Sequence, residues 1–115
     1  MDVNEANQDH RYTLKMTTGE TAVVSSFGAT LVSFFYENRN GKWNDLVLGF
    51  DTLEEYNRKT FGNGGNPCMG ATCGRVASLI SNSKFTVDGK EYELDANYRT
   101  HHLHGGLVGY HRRNW

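Results

Sequence analysis

Short β-prone segments separated by turn residues are the feature that most constrains how this chain can fold. Near the start of the chain, Tyr12, Leu14 and Met16 alternate with polar residues, which is the period of a half-buried strand. Branched and aromatic residues predict further strands at 21–25, 29–36, 43–50, 69–73, 76–80, 84–87 and 90–94. Many short strands at regular spacing predict an all-β sandwich or barrel.

Turn and capping residues divide these segments. Asn40-Gly41 and Asp88-Gly89 each predict a tight hairpin, because the primed two-residue turns need positive φ angles. Thr52 and Glu55 have the spacing of a capping box, in which each side chain bonds the backbone N–H of the other residue. We therefore expect one short helix over about 52–57, followed by a loop at 58–67.

Size and charge limit the function classes. A chain of 115 residues holds one domain at most, and its mean hydropathy of −0.63 predicts a modest core. Lys and Arg total 12 against 13 for Asp and Glu, and the longest basic run is His111-Arg112-Arg113. With charges so balanced, the chain lacks the clustered basic face that binds nucleic acids. No apolar run approaches the roughly 20 residues that span a bilayer. We expect neither nucleic acid nor a membrane as a partner.

The two ends of the sequence lead to three expectations. Residues 1–10 are polar and are expected to be disordered. They show no secretory signal, and two cysteines do not make a disulfide framework, so a cytoplasmic location is expected. Trp115 is the last residue, and since a tryptophan ring favours burial, we expect the rest of a larger sheet to be missing.

Three histidines at 101, 102 and 104 form the first candidate site. On a strand, His102 and His104 would share one face, where imidazoles can hold a polar ligand or transfer protons. His101 and His102 are expected to be solvated strand residues. His104 precedes Gly105-Gly106, which permit close backbone approach, so we expect a functional role for it.

Three other features of the sequence are weaker candidates for a ligand or metal site. The glycine-rich segment 62–66 lacks the Lys-Ser/Thr pair and the helix of a phosphate-binding loop, so it is predicted to be a surface loop. Cys68 and Cys73 are too far apart in sequence for a usual zinc knuckle, and we expect two small buried side chains and no metal. Arg75 can either bind a polar ligand or pair with an Asp within the sheet.

Four stretches in order resemble the aldose 1-epimerase family. They are FGATLVS at 27–33, DLVLGFDTLEEY at 45–56, GATCGRVA at 70–77 continued by KFTVDGK at 84–90, and LHGG at 103–106 with the following Gly-Tyr and Trp. Each stretch alone is weak, but their order and spacing are specific, and together they span most of residues 12–115.

The resemblance implies a mutarotase-type β-sandwich, or supersandwich, with one short helix, which would be incomplete here. Residues 11–115 would be the N-terminal portion of that domain. It implies interconversion of the α and β anomers of an aldohexose, galactose or glucose, without a cofactor. In that reaction a carboxylate takes the proton of the anomeric hydroxyl and a histidine protonates the ring oxygen.

Carried over by residue, the resemblance assigns a catalytic-site role to His104, which matches the family's sugar-contacting histidine. Where the family has an Asn-Arg pair that binds sugar hydroxyls, this chain has Ser78-Leu79. Ser78 can keep one substrate hydrogen bond, whereas Leu79 cannot replace a guanidinium. The family's acid histidine and base glutamate would lie beyond Trp115.

These matches predict a truncated mutarotase that is inactive alone. One alternative is a non-catalytic sugar-binding relative that has lost the Asn-Arg contacts. Another is a structural remnant that binds no ligand.

Overall fold

The computed structural model describes residues 9–58 and 68–115, in which the chain is mostly β-strand. The strands are β1 Arg11–Lys15, β2 Thr21–Ser25, β3 Thr30–Glu37, β4 Trp43–Asp45, β5 Leu79–Ile80, β6 Lys84–Val87, β7 Lys90–Glu93 and β8 His102–Leu103. The described part holds one α-helix, α1 Leu53–Arg58, and two 3-10 turns, Ser81–Ser83 and Tyr110–Arg112. The prediction of a β-rich fold with one short helix is confirmed.

Strands β1 to β4 form a four-stranded antiparallel sheet in chain order, while β5 pairs with β8 and β6 pairs with β7. Leu14 lies opposite Ala22, which in turn lies opposite Phe34. Because directly opposed residues share a face, these three side chains make an apolar row across the sheet. Beyond this row, the pairing of β2 with β3 shifts register between Val23 and Val24.

The two predicted hairpins differ in their turns. Asp88 and Gly89 both have positive φ angles, 50° and 74°, as a primed two-residue turn requires. At the other hairpin only Gly41 does, with φ 74°, and the backbone N–H of Asn38 donates to the carbonyl of Lys42 at 2.8 Å. The prediction of a primed turn at Asn40-Gly41 is therefore wrong, because the Asn38 side chain accepts N–H groups inside a wider loop.

Helix α1 begins with the predicted capping box. The N–H of Glu55 donates to Thr52 Oγ1 at 3.3 Å, and the N–H of Thr52 donates to Glu55 Oε2 at 3.1 Å. Tyr56 on this helix is buried, and its hydroxyl accepts the N–H of Phe50 at 3.1 Å. The helix is thereby fastened to the segment that precedes it.

Two predicted strands are much shorter than expected, and a third does not form. Strand β4 ends at Asp45, because Asp45 Oδ1 accepts the N–H groups of Phe34 and Val47 and turns the chain away from the ladder. Residues 69–73 form no strand, since the chain turns there and the N–H of Ala71 donates to the carbonyl of Cys68 at 3.1 Å. Of 76–80 only β5 is extended, because Ser78 has φ 65°. The segment 62–66 lies outside the described residues.

The described residues bury few apolar side chains, namely Val32 and Tyr56. Strand β1 is exposed along its whole length, with Tyr12 at 57% and Leu14 at 62%. The prediction of a half-buried β1 is wrong, because no layer of described residues covers this face.

The first described residues and the two cysteines differ in how far the fold encloses them. Residues 1–8 lie outside the described part, while the backbone N–H of His10 donates to Ser26 Oγ at 3.1 Å. Cys68 is half-buried and Cys73 is exposed, so the expectation of two buried thiols is wrong. Among the described helices none is long and apolar enough to cross a bilayer.

Candidate functional site

The structure brings Ser78 and His104 together at the end of the β5–β8 pair. The N–H of Ser78 donates to His104 Nδ1 at 3.0 Å, and the N–H of His104 donates to the carbonyl of Ser78 at 3.0 Å. Both residues have left-handed backbones, with φ 65° and 50°. Because Nδ1 of His104 is an acceptor, its neutral ring carries the hydrogen on Nε2 and donates from that edge.

The neighbouring histidines differ from the sequence prediction. Strand β8 ends at Leu103 and His104 is left-handed, so the strand alternation that would put His102 and His104 on one face does not hold. His102 is 4% exposed and its Nδ1 lies 2.9 Å from the carbonyl oxygen of Asp95, so the prediction of a solvated ring is wrong. His101 is half-buried, and its Nδ1 accepts the N–H of Asn82 at 3.0 Å.

Gly105 and Gly106 are required by the turn that follows His104. Their φ angles are 87° and 84°, in the region that side chains other than glycine rarely adopt. A Cβ on Gly105 would overlap the carbonyl oxygen of Gly74, and a Cβ on Gly106 would overlap the Asp95 carboxylate. The two glycines therefore let the turn lie directly on its neighbours.

Asp95 holds the far side of this turn. Its Oδ2 accepts the N–H of Leu107 at 2.6 Å, and this hydrogen bond is the main reason that the pKa of Asp95 is lowered. Asp95 Oδ1 lies 3.8 Å from His102 Nδ1, which adds an ion pair only when the ring is protonated. The position of His104 thus depends on contacts at both ends of the Gly-Gly turn.

His104 lines an open cleft of about 200 Å³. That volume is below the roughly 300–1,000 Å³ of complete ligand pockets. The cleft is bounded by Asn97, Leu103, His104, Leu107, His111 and Arg112, with Cys68 at its side. The Asn97 amide clamps the backbone of Leu103, donating to its carbonyl at 2.8 Å and accepting its N–H at 2.7 Å.

His111 is a cleft residue that sequence reasoning missed, because in the sequence it stands only within the short basic run 111–113. Its Nδ1 is buried and has no hydrogen-bond partner among the described residues. Burial lowers the pKa of His111, and the charge of Arg112 and the nearby His104 lower it further. No sequence motif marks this residue, since its setting depends on chain segments that meet only in the fold.

Arg75 belongs to a different groove. Its guanidinium lies over the ring of Tyr110, 5.6 Å from the centroid, and no described carboxylate forms an ion pair with it. Of its two predicted roles, pairing with an Asp is therefore not seen in the described part. This groove is lined also by Asp95 and His102, neither of which lines the His104 cleft.

The described residues contain no group of side chains suited to a metal ion. Within residues 9–58 and 68–115, no three His, Cys, Asp or Glu side chains are grouped so as to hold a metal ion. Burial raises the pKa of the Cys68 thiol, with Cys73 adding to the shift.

Trp115 is 59% exposed, packs edge-on against Tyr110, and donates from Nε1 to the Tyr110 carbonyl at 3.2 Å.

Comparison with known proteins gives consistent matches. The family model for aldose 1-epimerase matches residues 10–115. Galactose mutarotase from Rattus norvegicus is 42% identical over 92 residues, which are 80% of this chain and 25% of the rat protein. The chain therefore spans about a quarter of the length of the curated relatives it matches.

Two solved structures agree in fold. A GalM/aldose epimerase homologue from C. elegans has 39% sequence identity and a TM-score of 0.81, covering 94% of this chain and 31% of that chain. Galactose 1-epimerase from Lactobacillus acidophilus has 23% identity and a TM-score of 0.75, covering 100% and 30%, and it supports the fold alone. The predicted mutarotase type of β-sandwich is confirmed.

Proposed function

The chain belongs to the aldose 1-epimerase family, and from this premise we propose that it contributes one side of a sugar site in a protein that interconverts the α and β anomers of an aldohexose. The sugar is galactose or glucose. His104 contacts it near the reacting centre, and the hydroxyl of Ser78 binds a second sugar oxygen.

The observation that supports this proposal is the pair of hydrogen bonds between Ser78 and His104, each 3.0 Å long. They fix both the direction of the imidazole and the nitrogen that carries its hydrogen, so the ring meets a sugar oxygen as a donor from Nε2. A donor held in place before the ligand arrives loses little conformational freedom on binding.

Anomer interconversion needs a base for the anomeric hydroxyl and an acid for the ring oxygen. Each correctly placed proton-transfer group contributes roughly 10²–10⁴-fold to the rate. Neither the acid histidine nor the base glutamate of the family has a counterpart among residues 12–115 in this resemblance. We therefore propose that these 115 residues alone do not accelerate mutarotation.

Polarimetry and calorimetry test the proposal on the chain as it stands. We expect α-D-glucose and α-D-galactose to change rotation at the buffer rate, and galactose to bind weakly. His104→Asn keeps a residue that tolerates φ 50° but removes the imidazole, and should weaken galactose binding about threefold to tenfold. His10→Asn, which removes an exposed imidazole elsewhere, is the control.

The outcomes separate the two parts of the proposal. Rotation well above the buffer rate would reject the inactivity of the chain. Absence of galactose binding to the unmodified chain, or equal binding by His104→Asn, would reject the sugar site. Circular dichroism of each variant shows whether the fold is retained.

A second function is favoured by Leu79, which stands in place of the family's sugar-binding Arg. Leu79 is 42% exposed and pairs with Leu103, so it offers an apolar surface where a guanidinium would donate. A relative that binds sugar without catalysis fits this substitution. Polarimetry on a protein that carries the whole family domain distinguishes the two, since only the enzyme accelerates rotation.

A further inference from the structure

We propose that the 3-10 turn Tyr110–Arg112 forms a second wall of the His104 cleft, in which His111 and Arg112 donate hydrogen bonds to the hydroxyl oxygens of an aldohexose. The inference rests on the proposed function and deepens it, because it adds two binding residues to the same site.

The turn is held in place without a ligand. The N–H of Tyr110 donates to the carbonyl of Gly74 at 3.0 Å, so the start of the turn is fixed to the segment before β5. Just after the turn, the carbonyl of Arg113 accepts the N–H of Gly28 at 2.7 Å. Anchors on both sides make this wall a prepared surface, which lowers the entropy lost on binding.

Gly109 sets the distance between the two walls. A Cβ on Gly109 would lie 2.6 Å from the carbonyl oxygen of His104 and 2.7 Å from Nδ1 of His111. The backbone of His104 and the ring of His111 are therefore packed against the same glycine. The two imidazoles lie close enough for His104 to affect the titration of His111.

The ring of His111 has one buried nitrogen without a described partner, Nδ1. A hydrogen on the buried Nδ1 would have no acceptor among the described residues, which costs the desolvation of that group. An unprotonated Nδ1 is also unpaired there, so we place the hydrogen on Nε2 as part of the proposal. The lowered pKa of His111, caused by burial, Arg112 and His104, agrees with a neutral ring. The Cys68 thiol, which also lines the cleft, has a raised pKa and stays uncharged.

Arg112 adds a charged donor beside this neutral one. It lines the cleft, and no described Asp or Glu forms an ion pair with it. A guanidinium offers several N–H donors and no acceptor. Together with the Nε2 edges of His104 and His111, the cleft presents a group of donors, which suits the closely spaced oxygens of a sugar.

Calorimetry with galactose tests the wall in the 115-residue chain. His111→Phe keeps an aromatic ring and removes an unpaired buried nitrogen, so a purely structural role predicts unchanged or higher stability and unchanged binding. We expect an unchanged or higher urea midpoint together with binding weakened about threefold to tenfold. Arg112→Met keeps the aliphatic stem and should weaken binding to a similar degree.

Arg113→Met is the matched control, because Arg113 lines the other groove and holds Gly28 only through its backbone. It should bind galactose like the unmodified chain. Inorganic phosphate, titrated in parallel, should give no more heat than buffer, and phosphate binding in the absence of galactose binding would overturn the assignment of a sugar to this wall.

Galactose binding by the unmodified chain and by the variants distinguishes the second wall from the sugar site as a whole. If the unmodified chain binds no galactose, the proposed function fails and this wall fails with it. If it binds, and His104→Asn weakens binding while His111→Phe and Arg112→Met do not, only the second wall is rejected. Should His111→Phe unfold, the exposed Arg112→Met variant decides alone.

Discussion

Replacing Gly105 by Ala tests whether the turn after His104 depends on close backbone contact. Gly105 has φ 87°, and a Cβ there would overlap the carbonyl oxygen of Gly74. Gly89→Ala is the matched control, because Gly89 has φ 74° and nothing within 4 Å of the same Cβ position. Both variants place a side chain on a left-handed backbone, but only one creates a clash.

The structure gives the expected size of each effect. A left-handed backbone costs a non-glycine residue roughly 1–2 kcal/mol, and this applies to both variants. The clash at Gly105 adds about 1–3 kcal/mol, because the obstructing atom is backbone and has no rotamer to move into. We therefore expect losses of about 2–5 kcal/mol for Gly105→Ala against about 1–2 kcal/mol for Gly89→Ala.

Urea unfolding followed by circular dichroism measures the difference. With a slope of about 1–3 kcal/mol per molar urea, an extra loss of about 2 kcal/mol moves the midpoint by roughly 1 M. The carbonyl of Gly74 also accepts the N–H of Tyr110, so Gly105→Ala should displace the second wall and weaken galactose binding. Equal destabilisation by the two variants would refute the reasoning, since it would leave no contribution from the contact.

Three other substitutions test the capping box, the Asp95 carboxylate and the exposed apolar row. Thr52→Ala removes the acceptor for the N–H of Glu55 and should lower the free energy of unfolding by about 0.5–2 kcal/mol in urea titrations. The N–H of Leu107 lowers the pKa of Asp95 below its ordinary value of 3.8. The ionised carboxylate therefore stabilises the fold above that pH, and the stabilisation is lost as the pH falls through the lowered pKa. In acid titrations, Asp95→Asn should lose less stability below about pH 4 than the unmodified chain does. Leu14→Lys places a charge on the exposed apolar row and should reduce aggregation measured by light scattering.

Each of these has a control and a contrary result. Thr52→Ser keeps the hydroxyl and should remain near the stability of the unmodified chain, and a loss equal to that of the alanine variant would contradict the capping role. An unchanged acid profile in Asp95→Asn would show that Leu107 does not discriminate between the charged and neutral carboxyl. Thr13→Lys places the same charge on the opposite face of β1, and an equal reduction in aggregation would show that the apolar row is not responsible.

Local signals in the sequence predicted several elements correctly because their partners lie close in the chain. The capping box joins Thr52 to Glu55, and the turn at Asp88-Gly89 depends on two adjacent φ angles. The alternation in β1 was sufficient to predict a strand. It was not sufficient to predict burial, because that depends on whether another layer covers the face.

The candidate site shows the same division. The LHGG block and its family resemblance directed attention to His104, and the structure places Ser78 against it. Their roles towards a sugar stay predictions. The burial of His102 and the cleft position of His111 were not predictable. The first depends on the contact of His102 with the Asp95 carbonyl, and the second on the backbone hydrogen bonds that join Tyr110 to Gly74 and Arg113 to Gly28.

The sequence by itself determined the family, the β-rich class, the capped helix and the glycines that allow the turn after His104, since each follows from residue type within a short span or from an ordered set of motifs. The tertiary structure alone decided which strands stop early, which histidine is buried and which imidazole nitrogen carries the hydrogen. Those properties depend on hydrogen bonds between distant segments, such as the one from Ser78 to His104, and an unfolded chain does not bring these groups together.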